Sequence, residues 1–308
     1  MSEPVRDIKI DKDTDLNAIF EMMLRSGGFM SVNLAMAKEI LVEMFRRSDC
    51  LKILSFTGNL MATGLRGILT DMIRRRLFNI VITTCATLDH DLARSRANYE
   101  CGSFDLDDYE LRRMNIHRLG NVIIKNSSYG EVIEKEIREL MAKLSDIDHL
   151  STHEFCWRLG EHIGSGDSFL YWCWREQVPV IVPGIVDGAV GFHVWLNTQT
   201  RRFYFDLMRD ESLLSDALWK AETAGALIIG GGISKHHALW WGQFSGEGLE
   251  YAVYITTATE YDGSLSGARP REAISWKKLS ASSKHVFVNS DATIALPFLY
   301  SAIVKTLP

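Results

Sequence analysis

The chain has 308 residues, 46 % hydrophobic and 24 % charged, and its 34 Lys and Arg against 39 Asp and Glu leave a formal charge of −5. That length can bury a substantial core, while the mild acidity argues against nucleic acid and leaves a cationic ligand or basic partner open. No apolar run approaches the roughly 18–20 residues that span a bilayer, the start MSEPVRDIKIDKD lacks a signal peptide's order, and five scattered cysteines form no CxxC.

The expectation is a cytoplasmic, reduced protein. Residues 14–49 set Leu16, Ile19, Met22 and Met23, then Met36, Ile40, Leu41 and Met44, at helical spacing, and Gly27-Gly28 splits them into two helices. Residues 1–50 therefore read as an N-terminal helical segment packed on a main domain over 51–308. From there one unit recurs: a short apolar run ends in small polar residues, and a helical pattern follows.

LKILSF (51–56) leads through Thr57-Gly58-Asn59 into a helix expected from about Met61 to Arg76. FNIVITT (78–84) leads through CATLDHD into a helical DLARSRA. VPVIV (178–182) precedes PGIVDGAVG, and ALIIG (226–230) precedes GGISKHH and a helix. EYAVYITT (250–257) runs into ATEYDGSLSG, and HVFV (285–288) into NSDATIALPFLYSAIV. Apolar strands alternating with amphipathic helices predict an α/β fold, with a mostly parallel central sheet flanked by helices on both faces. Ligands in such folds sit beyond the carboxyl ends of the strands, where each small polar cluster falls.

Gly230-Gly231-Gly232 would let backbone N–H groups approach a pyrophosphate at a helix N-terminus, although the usual GxGxxG is absent. Tight strand-to-helix turns explain the same glycines. Asp89, Asp91, Asp187, Asp262, Glu272 and Asp291 recur at this edge. Asp291 also suits a helix cap, but together these carboxylates suit an amine or polyamine. Asp89-His90-Asp91 and His236-His237 lack the i+3 or i+4 spacing of metal ligands, so no metal is expected. His236 or His237 suits a substrate-orienting or acid/base role.

The densest stretch is EYDGSLSGARPREAISWKK (260–278), with Pro270 suited to a first helical turn and Glu272 and Trp276 spaced i, i+4. A ring beside a carboxylate receives a protonated amine, and a lysine in a semi-apolar pocket can act as a Schiff-base nucleophile. Taken alone, Lys277-Lys278 reads more readily as a solvated helix end.

The run GGGISKHHALWW…YAVYITTATEYDGSLSGARPREAISWKKL closely resembles the deoxyhypusine synthase family, and GSLSGAR with SKHH…WW looks like its archaeal branch. LSFTGNLMATGLRG, NIVITTCATLDHDLAR, HRLGN, PGIVDGAVG and SDATIALP continue the resemblance, in order, from about residue 50 onward. It implies a Rossmann-like NAD enzyme that moves the aminobutyl group of spermidine, through an enzyme-lysine imine, to one lysine of translation initiation factor 5A. Lys278 is then the imine nucleophile, with His236 and Glu272 beside it. The implied amine site comprises Asp89, His90, Phe192, His236, the Asp262-Gly263-Ser264-Leu265 loop, Glu272 and Trp276. The implied NAD contacts are Gly58-Asn59-Leu60-Met61-Ala62, Thr84-Cys85-Ala86, Asp187, Gly231, Thr257-Ala258 and Asp291-Ala292. The family also implies a homotetramer, a pair of dimers with active sites at the subunit interface.

Several positions depart from the eukaryotic pattern. Phe192 and Leu265 stand where those members carry aspartates, and Asp89-His90 replaces a Glu-Glu pair. Relaxed amine choice, with agmatine beside spermidine, is the expectation. Lys277 replaces the usual glycine before the nucleophile, and the short start predicts an absent or rearranged N-terminal inhibitory helix. A homospermidine-synthase-like transferase and a non-catalytic NAD-binding homologue are the competing readings.

Overall fold

The computed structural model describes residues 3–307. Helices α1 (Leu16–Arg25) and α2 (Phe29–Arg46) lead into strand β1 (Cys50–Phe56), a short 3-10 turn (Gly58–Ala62) and α3 (Leu65–Arg74). Strand β2 (Ile80–Ile82), α4 (Cys85–Arg94), β3 (Val180–Ile181) and α5 (Ala189–Thr198) follow. The chain closes with β4 (Thr223–Ile229), α6 (Gly232–Gly242), β5 (Leu249–Thr256), α7 (Pro270–Ser275), β6 (Leu279–Asn289) and α8 (Ala292–Thr306). Contacts divide it into two compact units, one comprising Met1–Ser55 with Leu214–Pro308 and the other Phe56–Leu213.

In the first unit the strands lie in the order β6-β5-β4-β1. β5 pairs in parallel with both neighbours, Val253 facing Leu227 on one side and Val286 on the other. All seven residues of β4 are buried, as are Tyr251–Thr256 of β5. That burial fits strands covered on both faces and explains why they read as continuous apolar runs. The two N-terminal helices form as expected. α1 starts where the Asp15 carboxylate accepts from the Ala18 N–H at 2.8 Å, and Phe20 is its buried anchor. α2 lies against β5, β6 and α8.

In the second unit β2 and β3 pair in parallel, Val81 opposite Val180. Between α4 and β3 come a small antiparallel sheet (100–101, 116–119, 122–125) and the helices Gly130–Lys143, Thr152–Ile163 and Phe169–Arg175. The parallel α/β class predicted from the strand–helix alternation is what the structure has. Among the described residues, no helix is long and apolar enough to cross a membrane.

Two helix starts differ from the sequence reading. The helix expected from Met61 begins at Leu65, because the Thr63 hydroxyl donates to the Leu60 carbonyl at 2.7 Å and accepts from the Leu65 N–H at 3.2 Å. That hydroxyl closes the 3-10 turn and opens α3. The helix expected at DLARSRA begins at Cys85, where Thr84 is the last extended residue, so the whole CATLDHD segment is helical. Leu88 and Leu92, one turn apart and fully buried, carry the face that fixes α4.

Candidate active site

The first unit holds a cavity of about 280 Å3 whose wall includes His236, Glu272, Trp276 and Lys278. Four residues singled out in the sequence thus meet, for identifiable reasons. Pro270 sits in the first turn of α7, where a missing N–H costs nothing. The helix ends after Ser275, with Trp276 as its cap rather than its next turn. Lys277 takes a left-handed φ of 55°, and the Lys278 N–H returns to the Ala273 carbonyl at 2.9 Å. The reversal places the Lys278 Nζ 5.5 Å from the centroid of the Trp276 ring. His236 comes from α6 and stacks on Trp240, the two ring centroids 6.2 Å apart. Burial, and then the nearby Lys278 ammonium, hold its imidazole below the usual histidine range.

Leu265 also lines this cavity, and of the residues lining it Glu272 alone is a carboxylate. Asp262 turns into its own exposed loop, where it accepts from the Ser264 N–H at 2.7 Å and is held below the ordinary carboxylate range by that contact. Gly263 takes a positive φ of 72° in the same loop.

Lys235, Tyr254 and Arg269 line the cavity as well, and the motif reading missed them. Lys235 is 1 % exposed. The signal lay in the spacing: Lys235, Leu239 and Gly242 are i, i+4 and i+7 on α6, a stripe that is buried throughout. Tyr254 was hidden within an apolar strand, with its ring 4.5 Å from the Lys235 ammonium.

The segments expected to hold a dinucleotide lie at strand ends in both units. In the first, Gly230 and Gly232 take φ of 84° and 67°, and Gly231 between them is buried against Ser266. No atom stands within 4 Å of where a Cβ on Gly232 would be, which leaves bare, exposed backbone at the start of α6. Thr257 is exposed after β5, with Ala258 half-buried beside it. Asp291 accepts from the Thr293 N–H at 2.6 Å and caps α8, and half-buried Ala292 follows.

In the second unit the Gly58–Ala62 turn exposes Asn59 and buries Gly58, Leu60, Met61 and Ala62. The Gly58 N–H donates to the Thr84 hydroxyl at 3.1 Å, and a Cβ on Gly58 would collide with the backbone of Ala86 and Thr87. Thr84 and Ala86 are half-buried, and Cys85 is fully buried against Asp89. Asp187 is exposed before α5.

Asp89 is 1 % exposed, and its carboxylate accepts from the Ala189 and Val190 N–H groups at 3.0 and 2.8 Å and from the Tyr129 hydroxyl at 3.0 Å. It holds the N-terminus of α5, and burial raises its pKa against the pull of these donors. His90 is buried beside the Tyr99 hydroxyl at 3.0 Å, and burial lowers its pKa to about 4. Phe192, half exposed on α5, stacks obliquely on Trp195. A larger cavity of about 560 Å3 in this unit, with Arg66, Arg94 and Trp172 in its wall, contains none of the predicted site residues.

The cavity gathers a lysine, an indole, an imidazole and a carboxylate in a parallel α/β chain, groups whose chemistry suits covalent work on an amine. The deoxyhypusine synthase family model matches residues 18–303. A Sulfolobus acidocaldarius protein named "Probable deoxyhypusine synthase" is 47 % identical over 98 % of this chain and 95 % of its own length. An Ignicoccus hospitalis protein of the same name is 44 % identical over 99 % and 96 %. A crystal structure assigned as a deoxyhypusine synthase from Entamoeba histolytica superposes with a TM-score of 0.67 at 18 % identity, over 98 % of this chain and 97 % of that one, a likeness of fold. The chain belongs to the deoxyhypusine synthase family, and it is an aminobutyl transferase of the kind those proteins represent.

Proposed function

We propose that this enzyme takes the aminobutyl group of spermidine onto Lys278 as an imine and passes it to one lysine of translation initiation factor 5A. The observation that carries the reading is the convergence of Lys278, Trp276, Glu272 and His236 on one cavity in a chain of this family. The Trp276 face and the Glu272 carboxylate bind cationic nitrogen, and His236, its pKa lowered, is free at neutral pH to accept a proton. Lys278 attacks the oxidised carbon of spermidine, the bond to the departing 1,3-diaminopropane breaks, and the acceptor lysine then displaces Lys278.

NAD, when bound, supplies the hydride acceptor for the first half of the reaction and the donor for the last. The bare backbone at Gly232 and the paired left-handed glycines fit a pyrophosphate. The residues proposed to contact NAD are Gly58–Ala62, Thr84–Ala86, Asp187, Gly231, Thr257-Ala258 and Asp291-Ala292. Assembly as a homotetramer, a pair of dimers, belongs to this reading.

The test incubates enzyme and NAD with factor 5A and either spermidine or agmatine, and reads the intact mass of the factor. A gain of one aminobutyl group from spermidine is expected. Homospermidine formed from added putrescine, with the factor unmodified, would move the enzyme to a free polyamine acceptor. Leu265 in the cavity wall, in place of a carboxylate, supports agmatine as a second donor.

A further inference from the structure

We propose that Lys235 is a positioning residue for the amine: its buried ammonium ties down the 264–269 loop, which supplies Leu265, Ala268 and Arg269 to the cavity wall. The inference rests on the reading of this cavity as the amine site. A lysine with 1 % of its surface exposed is costly unless its charge is met. Among the described residues, no carboxylate meets this one directly. Its Nζ donates to the Ala268 carbonyl at 2.8 Å and the Ser266 carbonyl at 3.4 Å, and lies 4.5 Å from the centroid of the Tyr254 ring. The two carbonyl contacts tie α6 to the loop, and the Tyr254 contact ties α6 to β5.

The other ties of that loop do not depend on this proton. The Ser266 hydroxyl accepts from the Gly232 N–H at 3.2 Å, Arg269 pairs with Glu260 at 3.0 Å, and a Cβ on Gly267 would collide with the Thr259 carbonyl. Lys235 thus differs from a passive anchor in being titratable. Burial lowers its pKa to about 8, Glu272 on α7 works against the fall, and Arg269 adds to it. His236, lowered from 6.5, protonates at lower pH, and burial raises the Tyr254 hydroxyl far above this range. A neutral amine holds carbonyls less strongly than an ammonium does. The loop should therefore loosen between pH 7 and 9, and amine affinity should fall with it.

The experiment follows amide hydrogen exchange of residues 264–269, corrected for intrinsic base catalysis, alongside KM and kcat for spermidine, across pH 7–9. In the wild type, protection of the loop should drop about tenfold through this range while KM for the amine rises in step. Lys235→Met should abolish the pH step and raise KM about tenfold at pH 7, with a smaller change in kcat. Lys278→Ala should keep the exchange step, which separates the two lysines. Wild-type protection that stays flat with pH would overturn the proposal, and so would a Lys235→Met enzyme with wild-type KM or with loss in kcat alone. Should Lys235→Met fail to fold, the wild-type pH series still decides. Should the wild type not turn over spermidine, the functional reading fails while the exchange step still judges Lys235.

Discussion

The Lys278 ammonium stands 5.5 Å from the centre of the Trp276 indole, across a turn that the left-handed Lys277 closes. Trp276 is 65 % exposed, so its ring serves the cavity more than the core. Trp276→Ala should raise KM for the amine about tenfold, the scale of a cation–π contact of 1–2 kcal/mol, and leave the melting temperature nearly unchanged. Trp276→Phe should recover part of the loss. Steady-state kinetics with a parallel thermal melt check both.

Lys277 itself bears the conformational cost of that turn. At φ 55° a β-branched side chain is strained and glycine is relaxed. Lys277→Gly should be neutral or stabilising by up to about 1 kcal/mol, with the imine still formed. Lys277→Val should cost about 1–2 kcal/mol and slow imine formation, because the following residue is the proposed nucleophile. Urea unfolding and single-turnover rates measure the two effects separately.

Asp89 holds the start of α5 with a sealed carboxylate. Asp89→Ala should destabilise the fold by about 2–3 kcal/mol, through a lost cap and two orphaned N–H groups. Asp89→Asn, which keeps one acceptor, should cost less. If Asp89 instead served the amine directly, Asp89→Asn would raise KM without lowering stability.

His90 predicts part of the acid limb of stability. Its folded pKa of about 4 lies below the free value of 6.5, so between these values the unfolded chain binds the proton and the folded chain does not. Its contribution is complete above about pH 6.5 and is lost as pH falls toward 4. His90→Gln should remove up to about 3 kcal/mol of that decline, read as the difference in unfolding free energy between pH 7 and 4.

What the chain revealed by itself was local. The alternation of buried strands and helices gave the α/β class because both faces of β4 and β5 are covered. Pro270 and the Asp291 cap are short-range features that appear where their chemistry placed them, and Glu272 and Trp276 share the cavity although Trp276 caps α7 rather than continuing it. The start of α4 was misread because polar residues obscured the Leu88–Leu92 face, and the start of α3 because one threonine hydroxyl interrupts the helix.

Asp89 looked like a substrate carboxylate. Its donors come from Tyr129 and from Ala189 and Val190, and no spacing near residue 89 could announce them. Lys235 escaped for the opposite reason. A cation on a buried stripe reads as noise until the Ser266 and Ala268 carbonyls are seen to meet it.

Borohydride trapping shows whether Lys278 forms the covalent bond. Enzyme incubated with NAD and spermidine labelled in its butyl portion, then reduced, should carry one label per chain, mapped by peptide mass spectrometry to Lys278. Lys278→Ala should carry none. Equal labelling of wild type and Lys278→Ala, or a label found on Lys277 or Lys235, would rule out Lys278 as the nucleophile.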